Sequence, residues 1–177
     1  MPDLLRSVEY APSMLGLIRN FDFGDEPYQK ELGQWIIDDA EQAMARGTKV
    51  WIYVNQADQI VGYGSLGQTN WKYPEPNSNK VTVAIVPAVA IRKEFWGEPK
   101  TGDKEEKYSS QIMRELIRQA IEWNASFGAV GLFVHPENLA AIKLYERFGF
   151  KRFYRNYEDK QKKVTYLGYV LPLSVQK

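Results

Sequence analysis

The sequence predicts an α/β fold, with a mixed, mostly antiparallel central sheet flanked by about four helices. Two observations carry this prediction. Most strand-like runs follow one another through short polar segments, which is typical of antiparallel hairpins. One long amphipathic stretch, from Tyr108 to Gly128, instead separates two apolar runs, "KVTVAIVPAVAI" and "AVGLFV". A helical crossover joins parallel strands, so the parallel pair is expected between these two runs.

The elements before that crossover are predicted in order. "LLRSVEY" reads as a strand and "APSMLGLIRNFDF" as a short helix. "EPYQKELGQWIIDDAEQAMARG" has apolar residues at helical spacing and predicts one helix that ends at Gly47. "KVWIYVN" and "QIVGYGSL" form a predicted hairpin, in which Gly62 and Gly64 mark close backbone approach. "GQTNWKYPEPNSN" reads as a polar loop.

The remaining elements follow the same logic. "KVTVAIVPAVAI" is a strand that Pro87 interrupts, and because proline cannot donate to a ladder, a bulge, edge or bend is expected there. "YSSQIMRELIRQAIEWNASFG" is the strongest helix, and "AVGLFV" a buried strand. "ENLAAIKLYERFG" predicts a helix, and "FKRFYRNYED" with "VTYLGYVLPL" a final hairpin around "KQKK". The length of 177 residues suits one domain, 1–177.

Composition excludes several classes of function. The chain has no cysteine and one histidine, so a thiolate nucleophile, a disulfide and a metal centre are not expected. The net charge of +1 gives no overall attraction for nucleic acid or an anionic membrane. No run reaches the roughly 18 apolar residues of a membrane span, and no signal peptide is recognisable. We therefore expect a cytoplasmic enzyme or binding protein.

The stretch "FVHPENLAAIKLYERFGFKRF" carries a family resemblance. It reads as a strand, an asparagine, a helix with a Leu-Tyr pair, and then Gly-Phe. In this pattern and in its order of elements, the chain resembles the GNAT superfamily of acetyl-CoA-dependent N-acyltransferases. The resemblance spans nearly the whole chain and implies the GNAT fold, with the parallel strand pair splayed to admit the cofactor. The matching positions are Asn138, Ala141, Ile142, Leu144, Tyr145, Gly149 and Phe150.

The family's second segment is a strand, a glycine-rich turn and a helix whose start binds the CoA pyrophosphate. "VAIRKEFWGE" resembles the strand end and "KYSSQIMREL" the helix start, but the insertion Glu98–Glu106 separates them. A helix start offers unpaired N–H groups and a positive dipole end, so small residues there can still bind phosphate. A solvated loop with an ordinary serine cap is the alternative. The candidate phosphate ligands are Gly97, Lys104, Lys107, Ser109 and Ser110.

The resemblance also implies roles in amide formation from a thioester. Main-chain groups of Val89 and Ile91 would contact the pantetheine arm and the thioester oxygen. Tyr145 would protonate the departing thiolate, because a phenol with a pKa near 10 stays protonated at neutral pH. Tyr145 follows Asn138 by two helical turns, so both lie on one helix face. Asn138 would either contact the pantetheine amide or only cap the helix.

Two residues are candidates for the general base, and one region for the amine. His135 or Glu94 could take a proton directly or through water, although no added base is needed if the amine arrives neutral. Acidic and aromatic side chains from two loops would suit a cationic amine, unless they are ordinary loop residues. These are Phe21, Asp22, Phe23, Asp25, Glu26, Tyr28, Trp71 and Tyr73.

The resemblance therefore implies an N-acetyltransferase that moves an acetyl group from acetyl-CoA to a primary amine of a small molecule or peptide. We expect no metal, nucleic-acid or membrane partner, and a monomer or homodimer. Two alternatives remain open. The chain could bind acyl-CoA as a sensor or scaffold without transfer, or it could be an interaction protein that binds a protein partner through its aromatic loops and uses no cofactor.

Overall fold

A computed structural model describes residues 3–99 and 106–173. These residues form two compact units. Unit 1 comprises Met1–Leu66 and Ala88–Leu116, and unit 2 comprises Gly67–Pro87 and Ile117–Lys177. The single domain expected from the length stays a prediction. No helix in the described ranges is long and apolar enough to cross a membrane.

The described residues contain nine strands and five α-helices. The helices are α1 Leu15–Ile18, α2 Pro27–Asp38, α3 Ala40–Ala45, α4 Tyr108–Trp123 and α5 Leu139–Arg147. The strands are β1 Arg6–Glu9, β2 Lys49–Val54, β3 Ile60–Lys72, β4 Lys80–Val86, β5 Val89–Ile91, β6 Ala129–Val134, β7 Lys151–Arg152, β8 Tyr157–Asp159 and β9 Val164–Pro172.

In unit 1 the strands β1, β2, β3 and β5 pair in that order, and every pair is antiparallel. One face of this sheet packs on α1, α2 and α3 through a core that includes Ile36, Ile52 and Tyr63. The other face receives α4, because a Cβ on Gly64 would lie 3.0 Å from the Leu116 methyl groups. The predicted close backbone approach is confirmed at Gly62, where a Cβ would lie 2.2 Å from the Ala90 carbonyl oxygen, whereas the neighbours of Gly64 are side chains.

In unit 2 the second half of β3 begins the order β3, β4, β6, β9, β7, and β8 pairs with β9. The pair β4 and β6 is parallel, from Val83 beside Ala129 to Val86 beside Leu132. The other pairs are antiparallel. The parallel ladder ends at Leu132, while β6 continues to Val134. The predicted mixed sheet with one parallel pair is confirmed.

Pro87 separates β4 from β5, as its missing N–H predicts. β3 faces β4 in the register Gly67 to Ile85 and faces β5 in the register Gly64 to Val89. Between these two pairs, the segment that runs from β4 to β5 has one residue more than β3. This extra residue defines a β-bulge. The buried Ser65 hydroxyl accepts from Ala88 N–H at 3.0 Å and donates to Ala88 C=O at 2.6 Å, so it satisfies the main chain beside the bulge.

The segment predicted as a long polar loop is partly wrong. β3 continues to Lys72, and residues 68–72 alternate between exposed and shielded positions. Trp71 explains the difference, because it is buried and stacks on Phe153 with ring centroids 5.2 Å apart. It also covers Gly131, where a Cβ would lie 2.3 Å from the indole ring. The side chain that looked like a loop aromatic is the centre of the core of unit 2.

Three other predicted boundaries also differ. The helix predicted to end at Gly47 is kinked at Asp39, whose N–H and C=O still make helical hydrogen bonds to Trp35 and Ala43. α4 ends at Trp123, because the Asn124 side chain accepts from Ser126 N–H at 2.9 Å and closes a turn. The strand predicted over "FKRFYRNYED" divides into β7 and β8, which lie on either side of residues 153–156.

Candidate functional site

The exposed main chain of β5 lies on the side opposite β3. Arg92 N–H donates to Val61 C=O at 2.8 Å, so Arg92 and Ala90 face β3 in the ladder. Val89 and Ile91 then direct their main-chain polar groups away from β3. Trp96 Nε1 donates to Ile91 C=O at 3.0 Å, which agrees with this alternation. The two residues predicted to offer main-chain groups therefore lie with those groups on the open edge of β5 within unit 1.

Hydrogen bonds join the residues at the two ends of the insertion predicted at Glu98–Glu106. Gly97 has φ of +73°, a conformation that favours glycine, and turns the chain away from β5. Glu98 C=O then accepts from Tyr108 N–H at 2.8 Å, and Lys107 Nζ donates to Pro99 C=O at 2.8 Å. The turn after β5 therefore meets the start of α4 directly, despite the residues inserted between them. Lys104 lies outside the described residues.

Two N–H groups in the first turn of α4 have no acceptor among the described residues. Tyr108 N–H is bound by Glu98 C=O, and Gln111 N–H by Lys107 C=O at 3.0 Å. The N–H groups of Ser109 and Ser110 make no hydrogen bond to any residue that the structure describes. Both side chains are half-buried. Small residues, unpaired N–H groups and the positive end of a helix longer than four turns form an arrangement that fits a phosphate group.

Glu94, a candidate base, is already paired. Its carboxylate forms an ion pair with the Arg92 guanidinium, and more than half of its side chain is exposed. Arg92 also donates to Ile60 C=O at 2.9 Å and lies 3.7 Å above the Phe21 ring centroid. Taking up a proton would cost Glu94 this ion pair. The arrangement therefore suits a clamp for the turn after β5 better than a base.

The acidic residues expected to bind the amine each have a local partner. Asp22 accepts from Gly24 N–H at 2.8 Å, and Glu26 forms a capping box with Gln29 at the start of α2. Asp25 pairs with Lys93 at 2.6 Å, and this hydrogen bond holds the pKa of Asp25 below its ordinary value. Asp22 also attracts Lys93 electrostatically, so Asp22 and Asp25 share this lysine. The three carboxylates thus make turn, cap and ion-pair contacts, and their role in binding an amine stays a prediction.

The aromatic residues of the same prediction are divided between the units. Phe23 is buried in unit 1, where its ring meets the Tyr63 ring edge-on at 5.8 Å. Trp71 is buried in unit 2, and Tyr73 packs on Phe153 at 5.9 Å. Phe23 thus contributes mainly to the core of unit 1, and Trp71 and Tyr73 contribute mainly to the core of unit 2. Tyr28 is half-buried at the start of α2.

Tyr145 is fixed by the way in which α5 ends. Phe150 N–H donates to Tyr145 C=O at 3.0 Å, and Gly149 N–H donates to Glu146 C=O at 3.0 Å. With Gly149 at φ +91°, these bonds form a Schellman motif. The apolar contact that accompanies this motif is made by the rings of Tyr145 and Phe150, with centroids 5.7 Å apart. The Leu-Tyr to Gly-Phe spacing in the sequence is therefore what fixes the tyrosine ring.

The Tyr145 hydroxyl is the free end of this buried ring. Tyr145 is 6% exposed, and burial raises the pKa of its phenol above the ordinary 10.0. The hydroxyl has no hydrogen bond to any described residue. A protonated phenol without a partner among the described residues can donate a proton to a ligand.

Asn138 and His135 both stabilise the turn before α5. Asn138 caps the helix, because its side-chain oxygen accepts from Ala141 N–H at 3.3 Å. Its main-chain N–H donates to His135 C=O at 3.0 Å. His135 Nδ1 accepts from Glu137 N–H at 3.1 Å, which in the neutral ring leaves the proton on Nε2. Asn138 is thus a helix cap, and His135 would lose a hydrogen bond if Nδ1 took up a proton.

A row of aromatic rings next to His135 is absent from the sequence-based candidates. Tyr166 meets the His135 ring edge-on at 5.7 Å, and Tyr157 lies beside Tyr166 at 5.9 Å. Phe133 continues the row at 6.0 Å from Tyr157. The sequence predicted a hairpin here, and the observed pairing of β8 with β9 places Tyr157 directly opposite Tyr166. The register of that pair could not be read without the structure.

The sheet order, the bulge at Pro87 and the helix junction at Tyr145 together define an acyltransferase-type fold. Residues 106–150 match the model of the "Acetyltransferase (GNAT) family". No curated protein is similar enough in sequence to count as a match. This match over residues 106–150 supports the resemblance to the GNAT superfamily that the sequence predicted.

Solved structures share this fold at low sequence identity. A GNAT-family acetyltransferase from Staphylococcus aureus Mu50 is 14% identical, with a TM-score of 0.63 over 96% of this chain and 99% of that one. The NatC complex bound to Gag peptide and CoA contains a chain that is 16% identical, with a TM-score of 0.57 over 97% and 99%. A mutant of the toxin AtaT, bound to the C-terminus of its antitoxin AtaR and acetyl-CoA, is 13% identical, with a TM-score of 0.60 over 95% and 92%.

Proposed function

We propose that this chain is an N-acetyltransferase that uses acetyl-CoA to acetylate a primary amine of a small molecule or peptide, with Tyr145 as the general acid. The fold supports acetyl transfer in general. The observation that carries the finer proposal is the Tyr145 phenol, whose ring is fixed by the Schellman motif and whose hydroxyl has no partner among the described residues.

The residues present fit acetyl-CoA at two points. Ser109 and Ser110 offer N–H groups that have no acceptor among the described residues, at the start of a long helix, which suits the pyrophosphate. Val89 offers main-chain groups on the open edge of β5, which suit an extended amide such as the pantetheine arm. When bound, acetyl-CoA would supply the activated thioester. Titration of the protein with acetyl-CoA followed by calorimetry tests this fit.

Tyr145 would supply the proton that the departing sulfur needs. Because burial raises its pKa, the phenol keeps its proton at neutral pH until the thiolate forms. The attacking amine loses one proton in the same reaction, so the transfer is balanced. Since Glu94 is ion-paired and His135 Nδ1 is hydrogen-bonded, we propose that the amine arrives neutral or loses its proton to water.

The test compares Tyr145→Phe with a matched buried tyrosine, Tyr10→Phe. Tyr10 is 5% exposed, and its hydroxyl has no hydrogen bond to the described residues either. We expect Tyr145→Phe to lower kcat about 10²- to 10⁴-fold, the usual contribution of general acid catalysis, with little change in the Kd for acetyl-CoA. Tyr10→Phe should change neither constant.

Three outcomes would contradict the proposal at different levels. Unchanged kcat in Tyr145→Phe would remove this residue as the acid. Saturable binding of acetyl-CoA with no turnover across a broad panel of small and peptide amines would favour a non-catalytic acyl-CoA sensor or scaffold. Absence of binding would remove the acetyl-CoA function itself.

A further inference from the structure

The carboxylate of Asp3 binds two separate parts of the chain, one of which is the start of α4. One carboxylate oxygen accepts a hydrogen bond from the Tyr108 hydroxyl, and the other oxygen accepts from Gln56 N–H at 3.2 Å. Tyr108 is 3% exposed, and its ring meets the Phe95 ring edge-on at 6.0 Å. Burial and then the bond to Asp3 raise the pKa of Tyr108 to about 12, so this phenol stays protonated and keeps donating to Asp3. The carboxylate thus connects the first residue of α4 to the loop after β2.

Gln111 joins the same segment to α4 in the manner of a neighbouring strand. Its side-chain N–H donates to Asp3 C=O at 3.0 Å, and its oxygen accepts from Leu5 N–H at 2.8 Å. A residue in a parallel β-ladder makes the same pair of bonds, to the C=O of residue i and the N–H of residue i+2 of its neighbour. The second N–H of Gln111 donates to Glu106 C=O at 3.0 Å, immediately before the helix. Both N–H donors and the oxygen of this 9% exposed amide are therefore engaged.

These contacts form one stripe along α4. Tyr108, Gln111 and Glu115 are three and four residues apart, so they lie on one face of the helix. Ser7 Oγ approaches Glu115 Oε1 at 3.4 Å, which extends the contact along β1. Leu5 packs on the apolar cluster of Val61, Phe95 and Tyr108 beneath the stripe. We call Asp3, Leu5 and Ser7, together with this stripe, the N-terminal clasp.

We infer that the N-terminal clasp positions the first turn of α4 for phosphate binding, so that Asp3, Tyr108 and Gln111 are positioning residues for the cofactor. The inference rests on the proposed binding of acetyl-CoA at Ser109 and Ser110. These two donors lie between Tyr108 and Gln111 in the sequence, so both neighbours that flank them are held by the clasp. A helix turn held on both sides loses less conformational freedom when an anion binds.

The test uses two acetyl donors, acetyl-CoA and S-acetylpantetheine, which lacks the pyrophosphate. Tyr108→Phe removes one hydroxyl and keeps the ring, and Gln111→Met removes three hydrogen bonds at similar volume. Arg6→Gln is the control, because it breaks an exposed ion pair with Asp58 in the same segment and leaves the clasp intact.

We expect both clasp variants to raise the KM for acetyl-CoA about three- to tenfold, the range that one or two net hydrogen bonds supply. kcat at saturating acetyl-CoA, and kcat/KM with S-acetylpantetheine, should stay near the wild-type values. Arg6→Gln should match the wild type with both donors. Loss of folded protein would lower the activity with both donors, so it cannot produce this difference between acetyl-CoA and S-acetylpantetheine.

Two results would overturn the inference. An equal loss of kcat/KM with both donors would mean that the clasp only stabilises the fold, and an unchanged KM for acetyl-CoA in both variants would mean that it does not position the helix start. Failure of the wild-type protein to bind acetyl-CoA would instead overturn the proposed function on which the inference rests.

Discussion

Gly149 offers a quantitative test of how the chain fixes Tyr145. It has φ of +91°, and a Cβ there would meet only a Leu171 methyl group at 3.5 Å, an ordinary van der Waals contact. Replacing it with alanine therefore adds no clash, and the cost comes from the backbone conformation alone. A left-handed backbone costs an L-residue about 1–2 kcal/mol. We expect Gly149→Ala to lower the free energy of unfolding by about that amount.

Two other glycines provide matched controls. Gly47 has φ of +100° with nothing within 4 Å of its Cβ, so Gly47→Ala should lose a similar free energy. Gly16 has the same open space without a positive φ, so Gly16→Ala in α1 should be neutral or gain up to about 1 kcal/mol from helix propensity. Gly149→Asn should lose less than Gly149→Ala, because asparagine tolerates this backbone region.

The assay is unfolding in denaturant, with the midpoint and slope fitted for each variant. Thermal unfolding should agree, at about 2–4 °C per kcal/mol for a chain of this size. The reasoning fails if Gly149→Ala is as stable as the wild type, or if Gly16→Ala loses as much as Gly149→Ala. Either result would mean that the sign of φ does not decide the need for glycine at these positions.

Three further predictions follow from the described contacts. Because burial raises the pKa of Tyr145 above 10.0, kcat should show no loss from its ionisation between neutral pH and about 9, and an alkaline limb that disappears in Tyr145→Phe would contradict this. Gly131→Ala should lower the free energy of unfolding by about 1–3 kcal/mol, since its Cβ would lie 2.3 Å from the Trp71 ring. In the Gly131→Ala background, Trp71→Phe should lower the free energy of unfolding less than it does in the wild type. Additive changes in the free energy of unfolding would argue against this clash. Asp25→Asn should leave the unfolding midpoint at pH 7 unchanged, because water screens the exposed ion pair with Lys93. A clearly lower midpoint would show that this exposed ion pair stabilises the fold after all.

The sequence predicted much of the element order, because periodicity and turn residues are local signals. Pro87 was expected to interrupt its strand, and the structure has a β-bulge there, since a residue without an N–H cannot continue the ladder. Gly149 was expected to end α5, and it does so with a positive φ. In both cases one residue restricts its own backbone, so its neighbours in space are not needed to predict the result.

Prediction failed where a side chain depends on its tertiary neighbours. Trp71 looked like a loop aromatic, because the residues around it are polar; its burial depends on Gly131 and Phe153, which are distant in sequence. The ion pair of Asp25 with Lys93 was likewise not predicted, because Lys93 is close to it only in the folded chain. The alternation of Gln68, Asn70 and Lys72 around Trp71 was the one local sign that a strand continued.

The sequence by itself carried the family resemblance and placed the tyrosine near the end of α5. The spacing of Asn138, Tyr145, Gly149 and Phe150 specifies a capped helix that ends in a Schellman motif, which depends on contacts within a few residues. Only the tertiary structure decided that the insertion is closed between Glu98 and Tyr108, and that Asp3 and Gln111 hold the start of α4. The physical reason is that hydrogen bonds between distant segments depend on how the chain returns to itself, which no local pattern encodes.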